Sequence, residues 1–329
     1  MSIPMTLTRG LASIPLVKAL WEKRAADAPK KVAAPMPASL RRRCVVEIAT
    51  VGGFEVTTLI PRRGASGDRF VYLHGGSYEH PMVGPHWSII GGILRRTGAA
   101  LVVVDYGLAP EHTVDEAYSL LEAVYARELE RAGLHAAEPA GRTAAGTSTG
   151  TGSTTGTGLK APATSADYAG RAAPRVFVGG DSAGGGLAAG FALHARDTGI
   201  RMPDATFLFS PWLDVTLADP GIDALEALDP MLDRAPLVQQ GIAWAGARAT
   251  TDPLVSPLFG DLDALPPTHI YQGDHDILLT DAKRFAAKAT HAGSPVTLRL
   301  YPGSIHVFVG ASWTPEAHRA LDDVAARMR

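Results

Sequence analysis

The sequence predicts an α/β fold: a mostly parallel central sheet of about eight strands, helices on both faces, an antiparallel edge hairpin and a helical cap. Three observations carry that prediction. From about residue 41 onward, short and nearly continuous apolar runs alternate with amphipathic stretches, the pattern of strands covered on both faces by crossover helices. Two β-rich runs, 43–50 and 54–61, are joined through Gly52-Gly53, a hairpin signal that supplies the antiparallel edge. Of 329 residues, 46% are hydrophobic and the formal net charge is −2. That is enough apolar material for a large core, with no charge excess directed at nucleic acid or an acidic lipid surface.

Taken in order, the remaining elements are a strand at 70–74, a helix at 87–96, a strand at 100–106 and a helix at 114–132. A strand at 175–180 leads into a helix at 183–196. Strands at 206–210, 268–272 and 296–301 follow, with helices at 281–291 and 315–328. Residues 1–40 form an N-terminal helical cap segment, with an amphipathic helix at 16–26, and 41–329 form the main domain. Two segments break its rhythm. Residues 136–173, centred on GRTAAGTSTGTGSTTGTG, are a low-complexity flexible insertion, too poor in apolar side chains to offset their ordering entropy. Residues 212–251 hold helical patterns and proline turns but no strand, and read as a cap or lid.

Composition narrows the function classes further. Cys44 is the single cysteine, so neither an intramolecular disulfide nor a Cys-rich metal site can form. No histidine, aspartate or glutamate pair has helical ligand spacing such as H-E-x-x-H, and no metal or cofactor is expected. The chain contains no asparagine. Arg9, Pro15 and Lys18 interrupt any signal-peptide core, and no run approaches the roughly 18 apolar residues of a membrane span. A cytoplasmic location without membrane anchoring follows as the expectation. Arg41-Arg42-Arg43 and Arg95-Arg96 read as solvated surface.

The stretch VFVGGDSAGGGLAAGF, residues 176–191, concentrates glycine where a strand meets a helix. Gly180-Asp181-Ser182-Ala183-Gly184 matches G-x-S-x-G in the context that motif requires: a sharp turn that exposes Ser182 Oγ at the carboxyl end of the sheet. The amide of Ala183 lies at a helix N-terminus, where backbone donors point outward. A phosphate cradle is disfavoured, because no Lys-Ser/Thr pair and no G-x-G-x-x-G follow. Upstream, His74-Gly75-Gly76-Ser77-Tyr78 follows a strand, and its glycines can aim successive N–H groups into one cavity. His74 reads as a loop-orienting residue. The loop after 268–272 offers Asp274, Asp276 and Asp281. Asp281 belongs to a first helical turn with Thr280 as cap, which leaves Asp274 and Asp276 open as a functional carboxylate.

These motifs resemble the hormone-sensitive-lipase-like (bacterial esterase/lipase) family of α/β-hydrolases. The resemblance lies in His74–Tyr78, Asp105-Tyr106-Gly107-Leu108-Ala109-Pro110-Glu111-His112, Gly180–Gly185, Ser256-Pro257-Leu258, Leu265-Pro266-Pro267, the 273–278 turn and Pro302-Gly303-Ser304-Ile305-His306. They run in the family's order over about residues 70–310. Gly107, where the family commonly has Arg, and the long 136–173 connection depart from the pattern. The resemblance implies a serine carboxylesterase acting on short- to medium-chain esters, with 41–329 as its catalytic domain. Ser182 is then the nucleophile and His306 the base, since acid and base follow the serine in that order in this fold. Asp276 aligns with the acid position and Asp274 is the alternative. The amides of Gly75, Gly76 and Ala183 form the oxyanion hole. Trp212, Trp244, Met231 and Leu232 read first as lid packing, some of it lining the acyl pocket; Tyr78, Trp212, Met231 and Val307 are the candidates to touch substrate, and a homodimer through an exposed sheet edge is implied. The competing expectations are a lactone, carbamate or small-amide hydrolase on the same site, and a non-catalytic small-molecule receptor.

Overall fold

The computed structural model describes residues 2–13, 32–134 and 173–329. Its strands are β1 (Cys44–Val51), β2 (Phe54–Pro61), β3 (Arg69–Leu73), β4 (Ala100–Val104), β5 (Val176–Asp181), β6 (Thr206–Phe209), β7 (Thr268–His275) and β8 (Val296–Ile305). They form one eight-stranded sheet in the order β1-β2-β4-β3-β5-β6-β7-β8. β2 is antiparallel to both β1 and β4, and every other neighbouring pair is parallel. The helices are α1 (Ile3–Ala12), α2 (Ala38–Arg43), α3 (Gly84–Thr97), α4 (Val114–Arg131), α5 (Ser182–Thr198), α6 (Asp223–Glu226), α7 (Arg234–Ala245), α8 (Leu279–His291) and α9 (Pro315–Arg327).

Sequence pattern explains the layering. β3, β4 and β5 are buried at every residue, as their mostly apolar runs require when both faces are covered. Alternation then divides the core. Val176 and Val178 face the layer of α4, α5 and α8, whereas Phe177 joins the layer of α3 and α9 on the opposite face. The strand order also fixes where a site can form. After β3 the chain steps to β4 on one side and returns to β5 on the other, so the loops leaving β3 and β5 diverge beside one another. Ligand crevices in open α/β sheets sit at such a switch point, outside the carboxyl ends of the strands.

Several boundaries differ from the sequence expectation. β5 continues through Asp181, which keeps its ladder partner Phe209, so α5 begins on Ser182 itself. Instead of turning at Pro302-Gly303, β8 runs through to Ile305. A register shift opposite Gly273 and His275 absorbs the irregularity, and Gly303 takes a φ of 70°. α8 starts at Leu279 on a Leu278 N-cap with no side-chain cap bond, and Thr280 Oγ1 has no hydrogen-bond partner; Thr280 is not the cap. Nearly all of 136–173, and the helix expected at 16–26, lie outside the described residues.

At the opposite end of the sheet from the β3 and β5 loops, Arg42, Arg43, Arg62, Arg63, Arg95 and Arg96 rim a concavity of about 650 Å³. Arg42 and Arg43 end α2, and Arg95 and Arg96 end α3. Cations at helix C-termini face the negative ends of the helix dipoles, which accounts for the clustering.

Candidate active site

Ser182 sits at the junction of β5 and α5 with φ at +53°, a strained value for a non-glycine residue and one that marks functional turns. The turn closes this tightly because its flanks lack side chains: a Cβ on Gly184 would fall 2.1 Å from the Leu73 carbonyl oxygen. Strand β5 therefore delivers the serine against the end of β3, and Ser182 is 7% exposed.

The loop leaving β3 covers it. A Cβ on Gly75 would meet Asp181 Oδ2 at 2.4 Å and Ser182 Cβ at 2.9 Å, so only glycine allows this backbone to lie over the serine. Gly76 has a φ of +125°, and its carbonyl accepts from the amides of Glu79 (3.1 Å) and His80 (2.8 Å). Ala183 is the second residue of α5, where first-turn amides have no helical acceptor. The structure thus brings Gly75, Gly76 and Ala183 around Ser182.

Two carboxyl–imidazole pairs flank the serine. On one side His306 Nε2 lies 2.9 Å from Ser182 Oγ, and His306 Nδ1 lies 2.9 Å from Asp276 Oδ2. The second oxygen of Asp276 accepts from Leu278 N at 2.9 Å. Asp276 is fully buried and His306 is 5% exposed. With the ring proton on Nδ1 facing Asp276, the Nε2 lone pair is open to the serine hydroxyl. Burial works against the imidazolium, yet the charge and hydrogen bond of Asp276, with Asp229 and Asp181 behind, outweigh it and hold the His306 pKa above its ordinary value.

Asp274, the alternative carboxylate, points elsewhere. It bonds His275 Nδ1 at 2.8 Å and the Gly303 amide at 2.5 Å, bracing the ends of β7 and β8. Asp281 is buried in α8 beside Arg284, 2.8 Å away. Burial and the neighbouring Asp214 push its pKa up to about 7.

On the other side Asp181, 1% exposed, accepts from the Tyr72 hydroxyl and lies 3.3 Å from His86 Nε2. Burial opposes its charge, but His86 and Tyr72 outweigh burial and hold its pKa below the usual carboxylate range. His74 is fully buried. It donates from Nδ1 to the Gly75 carbonyl at 2.7 Å and stacks on Tyr106 at 4.5 Å. Burial and His86 depress its pKa to about 4, so it is neutral and shapes the glycine loop.

A cavity of about 680 Å³ opens onto Ser182 and His306. Its walls include Leu7 and Leu11 of α1, Met231, Leu232, Val307 and Trp313. Met231 and Val307 thus line the cavity, whereas Tyr78 and Trp212 do not. Both are 1% exposed and lie beneath the site, Tyr78 stacked on Trp244 at 4.2 Å and near Trp212 at 5.6 Å. Buried aromatics at this spacing are structural packing. Sequence reasoning missed His86, Asp229, Leu7, Leu11 and Trp313 as neighbours of the site. No local motif marks them, since each arrives from a distant element. Among the described residues no group of three or more His, Cys, Asp or Glu could hold a metal ion, and no helix is long and apolar enough to cross a membrane.

Comparison with known proteins fits this architecture. A family model described as the α/β hydrolase fold matches residues 70–310. An esterase of Acinetobacter venetianus is 31% identical over 285 residues, covering 85% of this chain and 79% of the relative. An acetyl-hydrolase of Streptomyces hygroscopicus is 29% identical, covering 86% and 82%. The crystal structure of an esterase/lipase from an uncultured bacterium aligns with a TM-score of 0.74 at 25% identity, covering 100% of this chain and 98% of its own. The structure of EstE5 soaked with p-nitrophenyl butyrate gives the same TM-score, identity and coverage. With a family model matched over most of the chain, and with the strained serine elbow at the sheet's switch point, the protein belongs to the α/β hydrolases of the esterase and lipase group.

Proposed function

We propose that the protein is a serine carboxylesterase acting on short- to medium-chain carboxylic esters. The observation that carries this reading is the continuous contact from Ser182 Oγ through His306 to Asp276, with both links at 2.9 Å. A hydroxyl is a weak nucleophile at neutral pH and needs a base that is itself held in the correct tautomer. His306 Nε2 accepts the Ser182 proton as Oγ attacks the ester carbonyl. The C–O π bond opens onto oxygen, and that oxyanion is held by the amides of Gly75, Gly76 and Ala183. Asp276 stabilises the imidazolium that forms. As the tetrahedral intermediate collapses, the bond to the alcohol oxygen breaks and His306 gives that oxygen its proton. Water, deprotonated by the same imidazole, then releases the acid from the acyl-enzyme.

The substrate class rests on the apolar cavity beside Ser182, of a size suited to a small ligand, and on relatives named for acetyl hydrolysis and soaked with a butyrate ester. Residues 212–251 and α1 act as the cap that bounds this cavity. The protein is tested with a fluorophosphonate probe, Ser182→Ala serving as control. The expected outcome is a single adduct that the variant lacks; a folded protein that takes no adduct points to a receptor. p-Nitrophenyl acetate, butyrate and palmitate compared with a lactone panel set the substrate. Fastest turnover of palmitate overturns the chain length, and fastest turnover of a lactone overturns the ester class.

A further inference from the structure

Asp229 lies between α6 and α7, far from the sheet in sequence, yet it is 7% exposed and ends beside the catalytic acid. Its Oδ1 accepts from the amides of Met231 at 2.8 Å and Leu232 at 3.0 Å. Its Oδ2 accepts from the amide of Ile277 at 2.9 Å. Met231 and Leu232 wall the cavity over Ser182, and Ile277 is the residue after Asp276, immediately before Leu278, whose amide donates to Asp276. One carboxylate thus joins the cavity wall to the turn that carries the acid.

The charges that face Asp229 are those of Asp276 and His306. On its own segment, Arg234 is engaged by Asp223 at 2.7 Å. A buried carboxylate with three amide donors is stabilised as an anion, but a second carboxylate nearby opposes it. Here burial and Asp276 together raise the Asp229 pKa to about 6, against His306 and the backbone amides.

We propose, on the basis of the esterase assignment above, that Asp229 is a positioning residue acting through Asp276 and His306. Its carboxylate clamps the cavity wall to the acid-bearing turn and sets a second negative charge behind the imidazolium that forms during acyl transfer. The sign follows directly. A negative charge near His306 favours its protonated form, so removing that charge lowers the His306 pKa.

Two measurements test this. In Asp229→Asn the side chain keeps its shape and loses its charge. The acid limb of kcat/KM for p-nitrophenyl butyrate is expected to move to lower pH by about half a unit or more, and the plateau to fall about tenfold. KM rises in the same variant, because the NH2 group that replaces Oδ2 cannot accept from the Ile277 amide and the cavity wall loses its tie to the acid-bearing turn. An acid limb that stays in place, whatever happens to the plateau, leaves Asp229 a merely structural group and overturns the proposal. The second measurement needs no variant: an NMR titration of the His306 ring in the native protein. A second inflection near pH 6, from Asp229 ionising beside it, is expected, and a single smooth step overturns the proposal even where Asp229→Asn fails to fold. Since that titration reads the imidazole and not turnover, a protein that hydrolyses no ester but shows the two steps refutes the esterase assignment and leaves the Asp229–His306 coupling standing.

Discussion

Ser182 stands between two histidine–aspartate pairs that look alike in composition and differ in what they can do. His306 and Asp276 approach it from one side, and His86 and Asp181 from the other, and His86 also reaches the cavity. What separates them is one lone pair. In His306 the proton on Nδ1 goes to Asp276, and Nε2 remains free to take a proton from Ser182. In His86 the Nδ1 lone pair is already occupied by the amide of Val83 at 2.8 Å. The ring's proton therefore sits on Nε2 and is donated to Asp181. Both nitrogens of His86 are thus spent on Val83 and Asp181, and the ring supports the residue beneath the serine. The partners of its two nitrogens decide the role of an imidazole.

The contrast can be broken at each member, beginning where the effect is largest. His306→Gln removes the only ring nitrogen that reaches Ser182 among the described residues, and a drop of about 10⁶-fold in kcat is expected from the loss of the proposed base. Burst kinetics with p-nitrophenyl butyrate measure it. Asp276→Asn keeps the volume but favours the wrong tautomer of His306, and about 10⁴-fold in kcat is expected to go. The intact pair also sets the pH dependence. Because the His306 pKa is raised, the neutral base predominates only above it. Activity should therefore fall away as pH drops through a midpoint above the ordinary imidazole value of about 6.5.

On the opposite side the effects shrink and change in kind. Asp181→Asn places an amide where Tyr72 and His86 both donate, and thermal unfolding should report a loss of about 1.5–3 kcal/mol for a buried bond to a charged group. Its acid limb should move slightly to lower pH, since Asp181 also contributes to holding His306 protonated. His86→Gln retains a donor towards Asp181 and is expected to change kcat/KM by about threefold or less, within the range of a single modest hydrogen bond. A shift of the acid limb in His86→Gln comparable to that of Asp276→Asn would erase the distinction between the two pairs.

How much of this was legible in the chain depended on how local the cause was. The turn at Ser182 could be read because its signal lies within five residues: a serine flanked by small residues where a strand meets a helix. The loop at Gly75 and Gly76 was readable for the same reason. The end of β8 was read wrongly, because Pro302-Gly303 turns most chains, and here a register shift across β7 and β8 keeps the ladder intact. Tyr78 and Trp212 are expected at the substrate from sequence, but both are buried beneath the site, where Tyr78 stacks on Trp212 and on Trp244. Aromatic burial is settled by the neighbours a ring finds, and those neighbours come from other elements.

By itself the sequence determined the alternation of strands and helices, the sharp turns at the ends of β3 and β5, and the order in which serine, carboxylates and histidine appear. Those features follow from backbone sterics and apolar periodicity, which act over a few residues. Only the tertiary structure decided that Asp276 rather than Asp274 faces His306, that His86 spends its lone pair on Val83, and that Asp229 arrives beside the acid. Each of these is a choice of hydrogen-bond partner, made when elements far apart in the chain pack together and most buried donors and acceptors have to be satisfied at once.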